Sequence, residues 1–235
     1  MFLLVFNRYY TCIIFYLSKP MNPHSNSHMP SNSTPQLESI LSAIDNINSQ
    51  DSNTTLSNGE KHPKELIYGQ RMTTCLAQYW PQASELLQIA VRAQHIKRWH
   101  LKRSEFAQGK AGYYQWRIAL GKFHAQLTAQ VMLEHGYSEE QAEQTASIIC
   151  KENLKDKAQT QLNSDSQTLE DVACLVFLIY YFDDFAKQYT EQDNEAKIIR
   201  IVQLTWGKMS EEAHDIALKL TLPDHLAQLV TKALS

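Results

Sequence analysis

Three residues capable of binding a metal fall in three separate segments of helical periodicity: His95 in RAQHIKRW, His124 in KFHAQL and Asp171 in LEDVACLV. Glu152 in CKENL is a fourth candidate, as a further ligand or as the base that orients a water. Helical bundles build divalent metal sites from imidazole nitrogens and carboxylates on facing helices, each helix presenting one inward side chain to a shared centre. Every one of these residues also has a structural alternative. His95 lies close to a basic run and suits an amphipathic surface, and His124 beside Phe123 suits a hydrogen-bonded core histidine. Asp171 suits a capping box begun by Thr168.

A second chemistry is written into the middle third. From Arg92 to Lys122 there are eight Lys or Arg and a single acid, Glu105, so this stretch carries +7 in a chain whose formal charge is −3. Such asymmetry marks a localised anion-attracting face, or simply a solvated one. Arg98, Arg103 and Arg117 are interleaved with Trp99 and Trp116. Guanidinium forks and aromatic planes are the materials for holding phosphates while stacking a base, which suits a nucleotide or single-stranded RNA. The alternative is that the cations solubilise a helix while the aromatics anchor a loop.

The elements that must carry these residues are helical. At 235 residues, with 43% hydrophobic and 20% charged content, the chain has an ordinary globular composition. The expected fold is all-α, one compact multi-helix domain over residues 35–235. The net acidity excludes a protein that coats nucleic acid along its whole length. The cysteines Cys12, Cys75, Cys150 and Cys174 are far apart and suggest neither a disulfide framework nor a zinc knuckle, which fits a reducing cytoplasm.

Residues 1–34 are set apart as an apolar extension followed by a flexible tail. The first 17 residues are apolar, but Asn7 and Arg8 interrupt them and they lack a basic n-region and a cleavage site. They are read as a dispensable extension with Met21 as the true start, and a membrane anchor is the alternative. Residues 21–34 are rich in Asn, Ser, Pro and His.

Helices are expected from Thr34-Pro35, from Pro63 to Trp80, from Ser84 to about Trp99, from Tyr113 to a glycine C-cap at His135-Gly136, and from a Ser138/Gln141 capping box to about Glu152. Further helices are expected from a Thr168/Asp171 capping box through the apolar run VACLVFLIYYF, and around 194–208 and 223–234. The stretches DSNTTLSNGEKH, 101–112 and 155–167 are expected to be loops. Gly207-Lys208-Met209-Ser210 resembles the lysine loop of class I aminoacyl-tRNA synthetases, but the parallel sheet that motif requires is missing from the pattern. There is no phosphate-binding glycine loop, nucleophile elbow or CxxC pair.

Five ordered blocks, YGQRM (68–72), RAQHIKRW (92–99), AGYYQWR (111–117), KFHA (122–125) and QTLEDVACLVFL (167–178), resemble the family known as domain of unknown function 4202, over roughly residues 36–234. Two local departures are a longer loop at 155–167 and Lys102-Arg103 in place of a Pro-Arg pair. The order of the helices is also distantly similar to that of the HD-domain phosphohydrolases. That similarity implies an HD-like helical arrangement in which metals held by His and Asp activate water against a phosphate ester. Only His124 and Asp171 fall on like residues. Tyr68 stands where the first histidine would be, Gln94-His95 replaces the His-Asp pair, and Glu152 replaces a later histidine.

The resulting expectation is a divergent metal-dependent phosphohydrolase acting on a nucleotide-type phosphate. His95, His124 and Asp171 would hold a divalent metal ion, Glu152 would assist, Arg98, Arg103 and Arg117 would bind phosphate, and Trp99 and Trp116 would stack a base. The rival is a non-catalytic nucleotide- or RNA-binding helical domain, and a third possibility is an interaction module whose central helix simply packs.

Overall fold

The computed structural model describes residues 34–155, 161–190 and 194–234, so the extension and tail expected before Thr34 lie outside the described residues. The described chain is mostly α-helical, with one two-stranded hairpin. It divides into two units, residues 20–169 and 170–235.

In the first unit α1 (Pro35–Asn48) begins as expected, with the Thr34 hydroxyl accepting from the Leu37 amide and Pro35 at the first position. The segment after it, expected to be a loop, is instead a hairpin of β1 (Thr54–Ser57) and β2 (Glu60–Pro63). Ser57 pairs with Glu60 across a two-residue turn in which Asn58 and Gly59 have φ of 52° and 82°. Asn-Gly is the sequence most suited to that left-handed geometry. The strands were hidden because TTLS and EKHP lack a hydrophobic alternation.

Pro63 leads into α2 (Lys64–Tyr79), and Ser84 caps α3 (Glu85–Ala93). α3 packs against α1, α2, α4 and α5, and Leu87, Ile89, Ala90, Val91 and Ala93 are buried on it. It ends about six residues before the expected Trp99. The chain turns at His95–Lys97, where Lys97 takes φ 49°, and then forms a short 3-10 turn over Arg98–His100. The Asn48 side chain stabilises this exit by accepting from the Lys97 amide at 2.9 Å.

α4 (Gly109–Glu134) starts four residues earlier than expected and stops as expected, since Gly136 has φ 81° and the Tyr137 and Gly136 amides donate to the Met132 and Leu133 carbonyls. The Ser138/Gln141 capping box opens α5 (Glu139–Cys150), and α4 and α5 pack together along the resulting helical hairpin.

α6 (Gln161–Tyr180) begins well before Thr168, so no capping box stands at Thr168/Asp171 and half of the loop expected at 155–167 is helix. Residues 156–160 lie outside the described residues. In the unit from Glu170 onward, α7 (Phe182–Thr190), α8 (Glu195–Trp206) and α10 (Asp224–Leu234) pack on one another, with α9 (Glu211–Ala217) between the last two in sequence. α7 and α9 were missed in the sequence, being short and flanked by other helices. No helix among the described residues is long and apolar enough to cross a membrane.

Candidate functional site

Polar groups converge inside the first unit where α2, the exit of α3 and the middle of α4 meet. Glu65, Gln94, His95, Arg98 and His124 are all buried there, His95 and His124 to 4% and 3% residual exposure. Burial of this many polar groups is costly unless each is bonded to another, and most of these are.

Glu65 stands in the first turn of α2, its amide donating to Asp51 Oδ2 at 3.3 Å. One of its carboxylate oxygens lies 3.1 Å from His95 Nδ1 and the other 3.9 Å from Arg98 Nε. The Arg98 guanidinium also reaches His95 Nε2 at 3.4 Å and sits 5.1 Å from the Trp116 ring centre. Tyr68, one turn along α2 from Glu65, stacks flat on His95 with ring centres 4.0 Å apart, and its hydroxyl donates to Gln94 Oε1 at 2.9 Å. The rings of His95 and His124 are 5.9 Å apart.

His124 differs from its neighbours. It hydrogen-bonds to the Gln94 backbone, while its Nε2 is buried and has no hydrogen-bond partner. The bonded nitrogen is therefore Nδ1, which donates to the carbonyl, and Nε2 presents a lone pair. Burial holds this imidazole well below the usual histidine range, with His95, Arg98 and Arg117 adding to the effect and the Gln94 bond opposing it. Arg117 lies two turns before His124 on the same face of α4. Lys64, at the start of α2, is pulled down to about 8, chiefly by burial and also by Arg98, against the attraction of Glu65 and Asp51.

The expected phosphate and stacking residues divide accordingly. Arg98 is part of the centre with Trp116 against its guanidinium, and the Arg117 charge acts on His124. Arg103 is turned into the 101–112 segment, where it donates to the Phe106 and Gly109 carbonyls at 3.0 and 3.2 Å, so it holds the loop. Trp116 also has a structural duty, since its indole N–H donates to the Leu101 carbonyl at 3.0 Å. Trp99 is half-buried and makes no hydrogen bond or ring contact among the described residues.

Glu152 and Asp171 are the two carboxylates expected to join the histidines. Glu152 is exposed on a 3-10 turn after α5, and its charge, after burial, helps push the Cys150 thiol up. Asp171 belongs to the unit from Glu170 onward, where its two oxygens accept from the Ser210 amide at 2.8 Å and the Ser210 hydroxyl at 2.6 Å. This also accounts for the GKMS segment: Ser210 caps α9, and Lys208 forms a buried pair with Glu170 at 3.6 Å.

Among the described residues no group of three or more His, Cys, Asp or Glu side chains is arranged to hold a metal ion. His95 Nε2 faces the Arg98 guanidinium at 3.4 Å, which disfavours a second cation there. Sequence reasoning missed Glu65, the acid at the heart of the centre. A Glu in the first turn of a helix ordinarily answers the helix dipole from the surface. Its spacing of three from Tyr68 was the available signal.

The fold and the centre together define a helical protein with a buried polar core. The chain belongs to the family described as a domain of unknown function (DUF4202), whose model matches residues 38–230. No curated protein and no solved structure matches it.

Proposed function

We propose that this protein binds a phosphomonoester of nucleotide type at the centre formed by Arg98, Arg117, His95 and His124. The observation that carries the proposal is the buried Nε2 of His124, without a hydrogen-bond partner, on a ring 5.9 Å from that of His95, which the Arg98 guanidinium reaches at 3.4 Å. A neutral acceptor flanked by cations suits a ligand that has both anionic oxygens and a hydroxyl. A singly protonated phosphate monoester has both, because its second ionisation lies near pH 6. Its anionic oxygens would accept from Arg98 and Arg117, and its O–H would donate to His124 Nε2. Trp116 and Arg117 are only half-buried, so the centre meets solvent on the α4 side.

Calorimetric titration of the full chain with adenosine 5′-monophosphate, inorganic phosphate and adenosine tests this. The nucleotide and phosphate are expected to bind and the nucleoside to bind far more weakly, with Arg98→Ala reducing nucleotide affinity about tenfold, the loss typical of a charge-assisted contact. Equal binding of adenosine and its monophosphate would remove the phosphate proposal. Tight, salt-sensitive binding of a single-stranded RNA oligonucleotide, with no binding of the mononucleotide, would favour the RNA-binding rival.

A second reading is favoured by the same lone pair. An imidazole nitrogen beside a bound phosphate can take a proton from attacking water, so the site would hydrolyse its ligand with His124 as general base. The resemblance of the helix order to the HD-domain phosphohydrolases is what suggests hydrolysis, and a route through His124 needs no metal. Phosphate release that persists in a chelator and disappears in a folded His124→Gln variant is the expected result under this reading.

A further inference from the structure

We infer that Glu65 is the positioning residue of this centre: one carboxylate oxygen sets which nitrogen of His95 faces Arg98, and the other restrains Arg98 for contact with a phosphomonoester. The identity of the ligand rests on the function proposed above, whereas the positioning rests on geometry alone.

Arg98 can only donate hydrogen bonds. At 3.4 Å from the guanidinium, His95 Nε2 must therefore be the acceptor, which leaves the ring proton on Nδ1. Nδ1 faces Glu65 Oε2 at 3.1 Å and donates to it. The Nδ1–H tautomer is the only form in which both contacts are hydrogen bonds. With a neutral or apolar residue at 65, the ring could turn over or exchange tautomers. Oε1 of the same carboxylate is 3.9 Å from Arg98 Nε, so His95 and Arg98 are both held by one side chain.

Glu65 is itself well placed to impose this geometry. Its amide is tied to Asp51, its side chain is buried, and Tyr68 stacks over the His95 ring from the next turn of α2, so the ring is fixed in plane by Glu65 and out of plane by Tyr68. Outer partners that hold an imidazole's tautomer and orientation are a general means of aiming the opposite nitrogen.

The test is a long-range proton–nitrogen correlation spectrum of the histidine rings in the 15N-labelled full chain, with the His95 signals assigned by their disappearance in His95→Asn. The wild type is expected to show a protonated Nδ1 and an unprotonated Nε2 at His95. Glu65→Leu is expected to shift both nitrogens toward a tautomer mixture and to weaken adenosine 5′-monophosphate binding about tenfold, while the far-ultraviolet dichroism stays that of a folded helical chain. A purely structural role would leave the tautomer unchanged. An Nε2-protonated His95 in the wild type, or an unaltered ring pattern in folded Glu65→Leu, overturns the inference. Should Glu65→Leu not fold, the wild-type spectrum alone decides. Should the wild type bind neither the nucleotide nor inorganic phosphate, the proposed function falls, and the ring pattern still decides the role of Glu65.

Discussion

Gly112→Ala is expected to destabilise the protein by about 3 kcal/mol, at the upper end of the usual cost of overpacking. A Cβ at this position would lie 1.8 Å from the Ala107 carbonyl oxygen and 2.5 Å from its carbon. Both are backbone atoms, so no side chain can swing aside, and either the start of α4 or the 101–112 segment must move. That segment is fastened by the Arg103 bonds to Phe106 and Gly109 and by the Trp116 bond to Leu101. For a chain of this size the loss corresponds to a fall in Tm of about 6–12 °C in a thermal melt followed by dichroism. A Tm within about 2 °C of the wild type would mean that the loop shifts freely.

Acidification should act through His124. Its imidazole is kept uncharged in the folded state by burial and by neighbouring His95, Arg98 and Arg117, whereas in the unfolded chain it protonates near pH 6.5. Below that value the unfolded state binds the extra proton, so stability is retained above about pH 6.5 and is lost as pH falls toward the folded-state value. The slope approaches about 1.4 kcal/mol per pH unit, so the roughly one and a half units from pH 6.5 to 5 amount to about 2 kcal/mol. Denaturant titrations from pH 7.5 to 5 on the wild type and His124→Gln measure it as the difference between the two slopes, with carboxylate contributions common to both. Parallel curves would show that His124 is solvated when folded.

The helices with conventional punctuation were legible in the sequence. Thr34-Pro35, the Ser138/Gln141 box and His135-Gly136 all act as their residue types dictate, because caps are local and need no tertiary partner. What was not legible depended on partners far along the chain. The end of α3 is set by Asn48, forty-nine residues before Lys97. The hairpin was read as loop because its turn residues were weighed without any supporting strand pattern. The cations of the basic, aromatic middle third have different fates: Arg92 makes a bidentate pair with Asp45, Arg103 fastens a loop, and Arg98 lies buried between Glu65 and Trp116. Spacing locates a charge but does not say which acid or carbonyl will reach it.

The hold of the first helix and its exit on the centre bears on the order of events during synthesis. Asp45 grips the Arg92 guanidinium, Asn48 the Lys97 amide and Asp51 the Glu65 amide, three points on the α2–α3 pair. A chain emerging from the ribosome makes this clamp before anything it clamps, since domains are delivered from the N-terminal end. Leu37, Ile40 and Ile44 are buried, and α1 packs on α2, α3 and α4, all of which follow it in the chain. The polar centre can thus acquire its final geometry only once a segment made early has been recruited by one made later.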